Sequence, residues 1–336
     1  MKRIDRFQRP AAAATWLRLS RRIVVAVLAF LVLQPAAAQR DRPYTFILPG
    51  TAGSGVDNIT RAAAPALSKA LGGPVVVDDQ PGAGGLMGTS ALVRSPPDGF
   101  TLSVVSSNHV IYPSVYKSLP FDPLTDVTPI AIIGSTPIVL VVNPARLPAK
   151  TARGLIELLK AKPAGYNYGS SGNGTILHLA GEMFLDEAGV SAVHVPYKGA
   201  SPMLTDLLGG QIDFALAALP TVQQHLQSGA LVAIGVTGPK RVSIAPDIPT
   251  MAEQGLPGYV IETWFAVVGP ARMDAATIAR VNAAFVTAFA APDVRATMAR
   301  QGNTIDVSTP EYAVKFFASA SEKYSKLAKL ARLTPQ

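Results

Sequence analysis

Two stretches of the chain share one pattern and predict how it is divided: "LVVNPARLPAKTARGLIELL" covers residues 140–159, and "AVVGPARMDAATIARVNAAF" covers residues 266–285. Each combines a valine-containing strand, a Pro-Ala-Arg turn and an amphipathic helix. Two such units are expected where a chain crosses twice between two lobes. The alternative is coincidence between two common strand-turn-helix units. If the repeat is real, residues 39–138 and 266–336 form lobe 1, and residues 139–265 form lobe 2.

Short apolar runs alternate with helical patterns through much of the chain. "YTFIL" (44–48) precedes a glycine-rich loop and a helical pattern over residues 56–71, and "PVVVDD" (74–79) precedes another glycine-rich loop. Short buried strands that alternate with helices are typical of α/β folds with largely parallel sheets. The sequence therefore predicts two lobes, each a largely parallel sheet flanked by helices. Two crossing strands join the lobes, and a ligand would bind in the cleft between them.

The first 38 residues have the pattern of a cleaved secretory signal peptide. They carry seven basic residues and one acidic residue, then the apolar run Ile23–Leu33 and an Ala-x-Ala site at Ala36–Ala38. The apolar run is too short for a transmembrane helix, which needs about 20 residues. "SRRIVV" (20–25) also resembles a twin-arginine signal, so both the Sec and the twin-arginine routes remain open.

Composition excludes several classes of function. The 336 residues carry a net charge of +8, but most of this excess lies in the predicted signal peptide. The remaining charge is too small for a surface that follows a phosphate backbone, so no nucleic-acid partner is expected. The chain has no cysteine. Disulfides, thiol nucleophiles and thiolate metal sites are therefore excluded.

Three glycine-rich loops follow predicted strands: "PGTAGSGVD" (49–57), "QPGAGGLMGT" (80–89) and "GSSGNGT" (169–175). Each leads into a helical pattern, and a helix N-terminus binds anions through its unpaired N–H groups. In the first loop Ser54 is expected to cap the helix, with Asp57 completing a capping box. The alternative is that the small polar residues only cap helices. Loops of this kind in both lobes favour one shared anion.

Nucleotide binding and catalysis are poorly supported. The loop 169–175 has the glycine spacing of a P-loop, but Thr175 stands where that motif needs lysine. No serine lies in a Gly-x-Ser-x-Gly elbow. His178 and Glu182 share a helix face, but no His-Glu-x-x-His motif accompanies them, so an ordinary hydrogen bond is expected instead of a metal site. His109 follows a strand and is expected either to line the cleft or to be an ordinary loop residue.

Nine segments in a fixed order resemble one protein family. They are "AGSGVDNITR", "PVVVDDQPGAGGLMG", "SPPDGFTL", "SLPFDPLTDVTPIAIIG", "YNYGSSGNGTILHLAGEMF", "HVPYKGASPMLTDLLGGQIDF", "LQSGALVAIGVTGPKR", "APDIPTMAEQGLPGY" and "WFAVVGPA". Together they cover essentially the whole chain after the predicted signal peptide. The chain resembles the periplasmic substrate-binding proteins of tripartite tricarboxylate transporters, the Bug-type receptors.

The resemblance implies an α/β periplasmic binding protein fold of two lobes that closes over a small organic carboxylate. It implies a monomeric periplasmic receptor without enzyme activity, cofactor or metal, which delivers its ligand to integral membrane transporter subunits. The first and third glycine-rich loops would hold the carboxylate. Carried onto this sequence, the ligand-binding residues would be Ala52, Gly53, Ser54, Asp57, Ser170, Ser171, Asn173, Thr175, Tyr197, Lys198, Gly199 and Asp213.

Two departures from the family pattern affect the expected site. The family usually has a basic residue where this chain has Gln80, which leaves the role of the second loop open. Asn173 is bulkier than the residue usual in such loops and is expected to reshape the pocket. Two alternative functions also remain: an exported serine hydrolase that uses Ser170 or Ser171 with His178 or His109, and a carboxylate sensor that has no transporter. Asp213, a charge in an apolar run, is expected to face either solvent or the cleft.

Overall fold

The computed structural model describes residues 42–331, 333 and 335. The predicted signal peptide, residues 1–38, lies outside the described residues and stays a prediction. In the described part the strands are, in chain order, β1 (Tyr44–Leu48), β2 (Val75–Asp79), β3 (Thr101–Ser106), β4 (Val127–Thr136), β5 (Ile138–Val142), β6 (Asn167–Ser170), β7 (Val193–Pro196), β8 (Phe214–Ala218), β9 (Val232–Val236), β10 (Thr263–Pro270) and β11 (Thr304–Ile305).

Helices connect most of these strands. The α-helices of the described residues are α1 (Gly55–Leu71), α2 (Leu86–Val93), α3 (Asn108–Ile111), α4 (Ala152–Ala161), α5 (Ile176–Ala188), α6 (Ala200–Leu208), α7 (Leu219–Gln227), α8 (Ala275–Ala290), α9 (Pro292–Arg300) and α10 (Pro310–Leu330). Short 3₁₀ turns lie at Ala83–Gly85, Tyr112–Ser114 and Ala252–Gln254.

Two sheets flanked by helices form the framework, as the sequence predicted, but each sheet is mixed and not largely parallel. The first has the strand order β2-β1-β3-β10-β4-β11, and the second has the order β7-β6-β8-β5-β9. β1 runs parallel to β2 and β3, and β6 runs parallel to β7 and β8. β10 is antiparallel to both of its neighbours in the first sheet, and β5 is antiparallel to both of its neighbours in the second. Helices cover the sheets, which explains why all five residues of β5 are buried.

The two repeated stretches of sequence correspond to these two antiparallel strands. β5 leads through a turn to α4, and β10 leads through a turn to α8. The side chain of Thr151 caps α4 by accepting the N–H of Gly154, and Asp274 caps α8 by accepting the N–H of Thr277. The repeat therefore marks a real structural equivalence between the strands that follow each change of sheet.

The points at which the chain changes sheets differ slightly from the expected lobe bounds. β4 of the first sheet ends at Thr136, and β5 of the second sheet begins at Ile138, because Pro137 lacks the N–H that would continue the ladder. The expected bounds had placed Ile138 in lobe 1. They had also placed residues 263–265 in lobe 2, but these residues pair with β4 of the first sheet. We therefore propose that lobe 2 begins at residue 138, one residue earlier than expected, and ends at residue 262, three residues earlier than expected.

Among the described residues no single helix is long and apolar enough to cross a bilayer. Only α8 and α9 taken together reach the required length and composition, and they are bent by 70° at their junction.

Two neighbouring residues of α8 differ in burial, so substitutions at them measure how much aromatic packing between α8 and the first sheet stabilises the fold. Phe285 is fully buried against Phe46 and Phe289, whereas the side chain of Val286 is 46% exposed. We expect Phe285→Ala to lower the free energy of unfolding by about 3–5 kcal/mol, because it leaves a cavity that cannot collapse. Val286→Ala should change it by about 0.5 kcal/mol or less. Urea denaturation measures both, and equal effects of the two changes would contradict the described packing.

Candidate functional site

The carboxyl ends of seven strands, four from the first sheet and three from the second, surround a cavity of about 420 Å³. Ligands of α/β proteins bind at this end of the strands because loops and helix N-termini converge there. The lining residues are Pro49, Gly50, Thr51, Ser54, Gly55, Val56, Pro81, Gly82, Ala83, Gly84, Gly85, Ser106, Asn108, Tyr116, Thr136, Ser171, Gly172, Asn173, Thr175, Ile176, Leu177, Pro196, Tyr197, Lys198, Gly199, Ala200, Ala218, Thr221, Thr263 and Phe265.

In the first loop, Ser54 precedes α1 but its side chain does not cap the helix, so the predicted capping box is wrong. The carboxylate of Asp57, which is buried, instead accepts the N–H of Gly53 at 2.8 Å and pairs with Arg61. The Nδ2 of Asn58 donates to the carbonyl of Gly53 at 3.1 Å. Asp57 and Asn58 do not line the cavity but stabilise the conformation of the loop, whereas Ser54 lines the cavity.

Two hydroxyl groups of the first loop have no hydrogen-bond partner in the part of the chain that the structure describes. Thr51 Oγ1 and Ser54 Oγ are both buried, and neither has a hydrogen-bond partner among the described residues. Both residues line the cavity. A buried hydroxyl without a partner is costly, and native proteins rarely retain one without a reason. These two groups indicate a site prepared for a hydrogen-bond acceptor.

The second loop also lines the cavity, although no residue of it was among the predicted ligand-binding residues. Gly82, Ala83, Gly84 and Gly85 form part of the wall. Gly84 has a φ of 66°, and a Cβ atom there would lie 2.9 Å from the carbonyl oxygen of Asn173. The loop therefore approaches the opposite side closely enough to require glycine. The glycine-rich composition indicated an anion-binding loop here, but Gln80 in place of the basic residue usual in the family had left its role open.

In the third loop, Thr175 caps α5, as the alternative interpretation expected, and it also lines the cavity. Its Oγ1 accepts the N–H of His178 at 3.3 Å and donates to the carbonyl of Gly172 at 2.8 Å. Ser171 and Asn173 line the cavity beside it. Ser170 is fully buried and lies outside the lining; its Oγ bonds to the N–H of Gly172 at 3.2 Å.

The loops after β7 and β8 complete the wall. Tyr197, Lys198 and Gly199 all line the cavity, as predicted from the sequence. The phenol of Tyr197 donates to Asp206 at 2.8 Å, which fixes the ring at the wall. Among the described lining residues Lys198 is the only one with a charged side chain, and it is exposed. The cavity therefore offers mainly neutral hydrogen-bonding groups.

Asp213 is not brought to the cavity, and neither of its expected environments is found. It directly precedes β8, at the end of the strand opposite to Ala218, which lines the cavity. It is 3% exposed; its carboxylate accepts the N–H of Asn167 at 2.8 Å and pairs with Arg146 at 3.2 Å. The charge is buried because these two partners replace its hydration. Asp213 thus holds two strands together at the far end of the sheet.

Sequence reasoning missed several polar residues at the wall, among them Ser106, Asn108 and Tyr116. Ser106 ends β3, and Asn108 begins α3 immediately after it. The polar run that follows an apolar strand was a usable signal for these two. Tyr116 had none, because only the folded chain brings its hydroxyl to the carbonyl of Ala83, at 2.9 Å.

Hydrogen bonds cross the cavity between the loops of the two sheets. They run from Ser201 Oγ to Ala52 O (2.9 Å), from Tyr116 OH to Asn173 O (3.2 Å) and from Ile176 N to Asn108 Oδ1 (2.7 Å). Ala52 and Gly53 lie outside the lining and are exposed, so their place in the structure is at this contact between the loops. The two sets of loops are therefore in contact around the cavity, which describes a closed arrangement.

His109 does not line the cavity, contrary to one of its two expected positions. It is 1% exposed, and its Nε2 lies 2.7 Å from the carbonyl of Pro123. Burial lowers its pKa to about 4, although the bond to Pro123 and the charge of Asp122 act in the opposite direction. The ring is therefore neutral at neutral pH and belongs to the core.

The paired histidines behind the third loop are also neutral. The rings of His178 and His194 stack at 3.9 Å with an angle of 6° between their planes. Burial lowers the pKa of His178 to about 3, with a further contribution from His194, and burial lowers the pKa of His194 to about 4. The sequence predicted that His178 and Glu182 are neighbours on one helix, and Nε2 of His178 lies 3.8 Å from Oε1 of Glu182. The contact between His178 and His194 of β7 could not be predicted from the sequence.

The geometry does not favour the hydrolase interpretation. Ser170 bonds to His194 at 2.7 Å instead of His178 or His109, and this serine is fully buried away from the lining. No group of three or more His, Asp or Glu side chains among the described residues could hold a metal ion. The arrangement of neutral donors around a cavity is suited to binding an anion.

We expect the stability of the protein to fall as the pH is lowered from about 7 to about 4, because the histidines bind protons more readily when unfolded. The pKa is about 3 to 4 for His109, His178 and His194 in the folded state, against 6.5 ordinarily. Between these values the unfolded chain binds more protons, so acid favours unfolding. Each histidine contributes up to about 1.4 kcal/mol per pH unit.

Urea denaturation at several pH values between 7 and 4 measures this effect. His109→Gln is a suitable control, because the Gln Nε2 can still donate to the carbonyl of Pro123 but does not titrate in this range. Its free energy of unfolding should fall less steeply with acid than that of the wild type. An identical slope in both proteins would contradict the burial of a neutral His109.

Comparison with known proteins agrees with this geometry. Residues 59–332 match the model of the tripartite tricarboxylate transporter family receptor. Protein BugT of Bordetella pertussis is 35% identical over 286 residues, covering 84% of this chain and 87% of BugT. A protein of Pseudomonas sp. strain P51, known from the tcbD-tcbE intergenic region, is 32% identical over 91% of this chain and 93% of its own length.

Solved structures show the same architecture. The periplasmic binding protein BugD has a TM-score of 0.84 and 29% identity, with 88% of this chain and 99% of BugD covered. An R. palustris protein with adipate has the same TM-score, identity and coverages. The fold is therefore the two-lobed fold of periplasmic binding proteins, and the chain belongs to the tripartite tricarboxylate transporter receptor family.

Proposed function

We propose that this protein captures one small organic carboxylate between its two sheets and delivers it to the membrane subunits of a tripartite tricarboxylate transporter. The observation that carries the proposal is a pair of buried hydroxyls at the wall of the cavity, Thr51 Oγ1 and Ser54 Oγ, for which residues 42–331 provide no hydrogen-bond partner. A carboxylate oxygen would accept from both. The loops of both sheets surround the same space, so one ligand would contact both.

A carboxylate that enters the cavity loses water and needs other donors in its place. The hydroxyls of Thr51, Ser54 and Ser171 and the backbone N–H groups at the start of α1 are suited to replace it, because hydrogen bonds to an ionised acceptor are strong. Lys198 at the edge adds a positive charge without burying it. Of the residues predicted from the sequence, we propose Ser54, Ser171, Asn173, Thr175, Tyr197, Lys198 and Gly199 as ligand contacts.

The other predicted residues receive different roles. Asp57 and Ser170 hold the first and third loops from behind, and Ala52 and Gly53 lie at the contact between the loops of the two sheets. Asp213 is left out. A structure of a relative that holds adipate supports the ligand class without naming the ligand of this chain.

Delivery requires that the transporter distinguish the loaded receptor from the unloaded one. The three hydrogen bonds across the cavity would form only when the loops approach, so binding would favour the closed arrangement. We propose that a monomer with the lobes closed, exported to the periplasm by the signal peptide, is the form that the membrane subunits bind. A sensor that presents the closed form to another protein would use the same chemistry.

A thermal-shift screen tests the ligand class. We expect one or more of adipate, succinate, malate and citrate to raise the melting temperature by a few degrees, since an acid at a hundred times its Kd stabilises the fold by about 2.7 kcal/mol. Adipamide, which has the length of adipate without its charge, is the matched control. A folded protein that none of a broad set of organic acids stabilises would refute the carboxylate proposal, and ester or amide turnover would then favour the hydrolase alternative.

Ser54→Ala should weaken carboxylate binding without destabilising the ligand-free protein. Its Oγ has no partner among the described residues, so its loss costs the folded chain nothing, whereas the complex would lose one hydrogen bond to an ionised group. We expect the Kd to rise about tenfold or more, measured by calorimetry.

Ser103→Ala is the matched control for this change. Ser103 Oγ on β3 is also buried without a partner among the described residues, but Ser103 does not line the cavity. Both variants should keep the melting temperature of the ligand-free protein, and only Ser54→Ala should change the Kd. An unchanged Kd in both would remove Ser54 from the site.

A further inference from the structure

A pair of histidines, of which His178 is buried and His194 half-buried, lies directly behind the third loop, and the proposed contacts do not use it. His178 comes from the first turn of α5, and His194 comes from β7. Their rings stack face to face at 3.9 Å, and the ring of Tyr168 also stacks against His194, at 4.9 Å. The side chain of His178 is only 8% exposed.

Both rings are connected to backbone groups of the loop. The N–H of Gly174 donates to Nδ1 of His178 at 3.2 Å. Nε2 of His194 lies 2.7 Å from Ser170 Oγ, and this Oγ in turn bonds to the N–H and the carbonyl of Gly172, at 3.2 and 3.1 Å. Gly172 and Gly174 alternate with Ser171, Asn173 and Thr175, which line the cavity together with Gly172.

The bond from Gly174 determines the protonation of His178. Because Nδ1 accepts, it carries no proton, and the neutral ring must carry its proton on Nε2. Nε2 faces Glu182 at 3.8 Å, and Glu182 accepts from the hydroxyl of Tyr168. The titratable groups around His178 are therefore Glu182 on its own helix, His194 on β7 and, through these two, Tyr168 on β6.

Glycine at positions 172 and 174 makes the loop dependent on such support. Gly172 has a φ of 132° and Gly174 a φ of 73°, conformations that glycine adopts freely but that its backbone alone does not hold. External hydrogen bonds are then what selects one loop shape among many. A loop that is already fixed loses less entropy when it binds.

We propose that His178 is a positioning residue for ligand binding: its neutral Nδ1 holds the N–H of Gly174 and so fixes the residues of the third loop that contact the anion. The part of this inference that concerns affinity rests on the proposed function, whereas the part that concerns the loop does not. A histidine that only filled the core could be replaced by any residue of the same shape.

Two substitutions of equal shape separate these roles. In His178→Asn, Oδ1 stands at the position of Nδ1 and still accepts from Gly174, but it cannot be protonated near neutral pH. In His178→Leu, a methyl group stands there and accepts nothing. Tyr259→Phe is the control for general destabilisation, because it removes the 2.7 Å bond from the tyrosine hydroxyl to the carbonyl of Ala180 in the same helix, away from the loop.

The measurements are amide hydrogen exchange at Gly174 in the ligand-free protein and calorimetric titration with adipate, succinate, malate and citrate. We expect His178→Leu to speed exchange at Gly174 and to raise the Kd of the bound acid, each by about tenfold or more. His178→Asn should keep both within about threefold of the wild type. Tyr259→Phe should lower the melting temperature and change neither. The ¹⁵N spectrum of the His178 ring should show a proton on Nε2 only.

Three results would overturn the inference: unchanged exchange at Gly174 in His178→Leu, equal losses of affinity in the Asn and Leu variants, or a proton on Nδ1. If no acid binds the wild-type protein while exchange at Gly174 responds as expected, the proposed function fails and the role of His178 in the loop stands. If acids bind the wild type and the Leu variant equally well, the proposed function stands and the role of His178 in affinity fails.

Discussion

The direction in which the chain enters each sheet is the constraint on which the site depends. β4 ends at Thr136, and one residue later β5 begins at Ile138, which pairs with Ala218 at the carboxyl end of β8. Because β5 runs antiparallel to β8, the carboxyl ends of the parallel strands of the second sheet lie at the point of crossing. β10 runs antiparallel to β3 and β4, so the carboxyl ends of the first sheet lie there too. Six loops must therefore face one another.

Much of this architecture could be predicted, because it depends on local patterns. The strand-turn-helix repeat indicated both crossing strands, and the glycine-rich loops at strand ends indicated the cavity wall. Long-range pairing could not be predicted in the same way. The sequence shows that Asp213 is a charge in an apolar run, but only the sheet shows that it lies at the far end of β8, paired with Arg146. Likewise, nothing near Ser54 reveals that Asp57 binds Gly53 instead of completing a cap.

The cavity and its support share one chemical property, which is neutrality. The wall presents hydroxyl and backbone groups, and the histidines behind it are uncharged because burial lowers their pKa. The ion pairs lie outside the wall: Asp57, which holds the first loop, is compensated by Arg61, and Asp213, at the far end of β8, is compensated by Arg146. A site of this kind separates two tasks. Ion pairs stabilise the framework, while hydroxyl and backbone dipoles of fixed orientation would bind the proposed ligand.

The exposed position of Lys198, the one charged side chain among the described lining residues, has a consequence for the surroundings in which the site works. Dissolved ions screen charges in contact with solvent, with a Debye length of about 8 Å at physiological ionic strength, but they barely weaken short hydrogen bonds inside a closed cavity. If the cavity binds an anion as proposed, the attraction that guides the anion toward the opening would vary with salt, whereas the hydrogen bonds to the bound anion would not. Ionic strength would therefore change the rate of ligand association but have little effect on the rate of ligand dissociation.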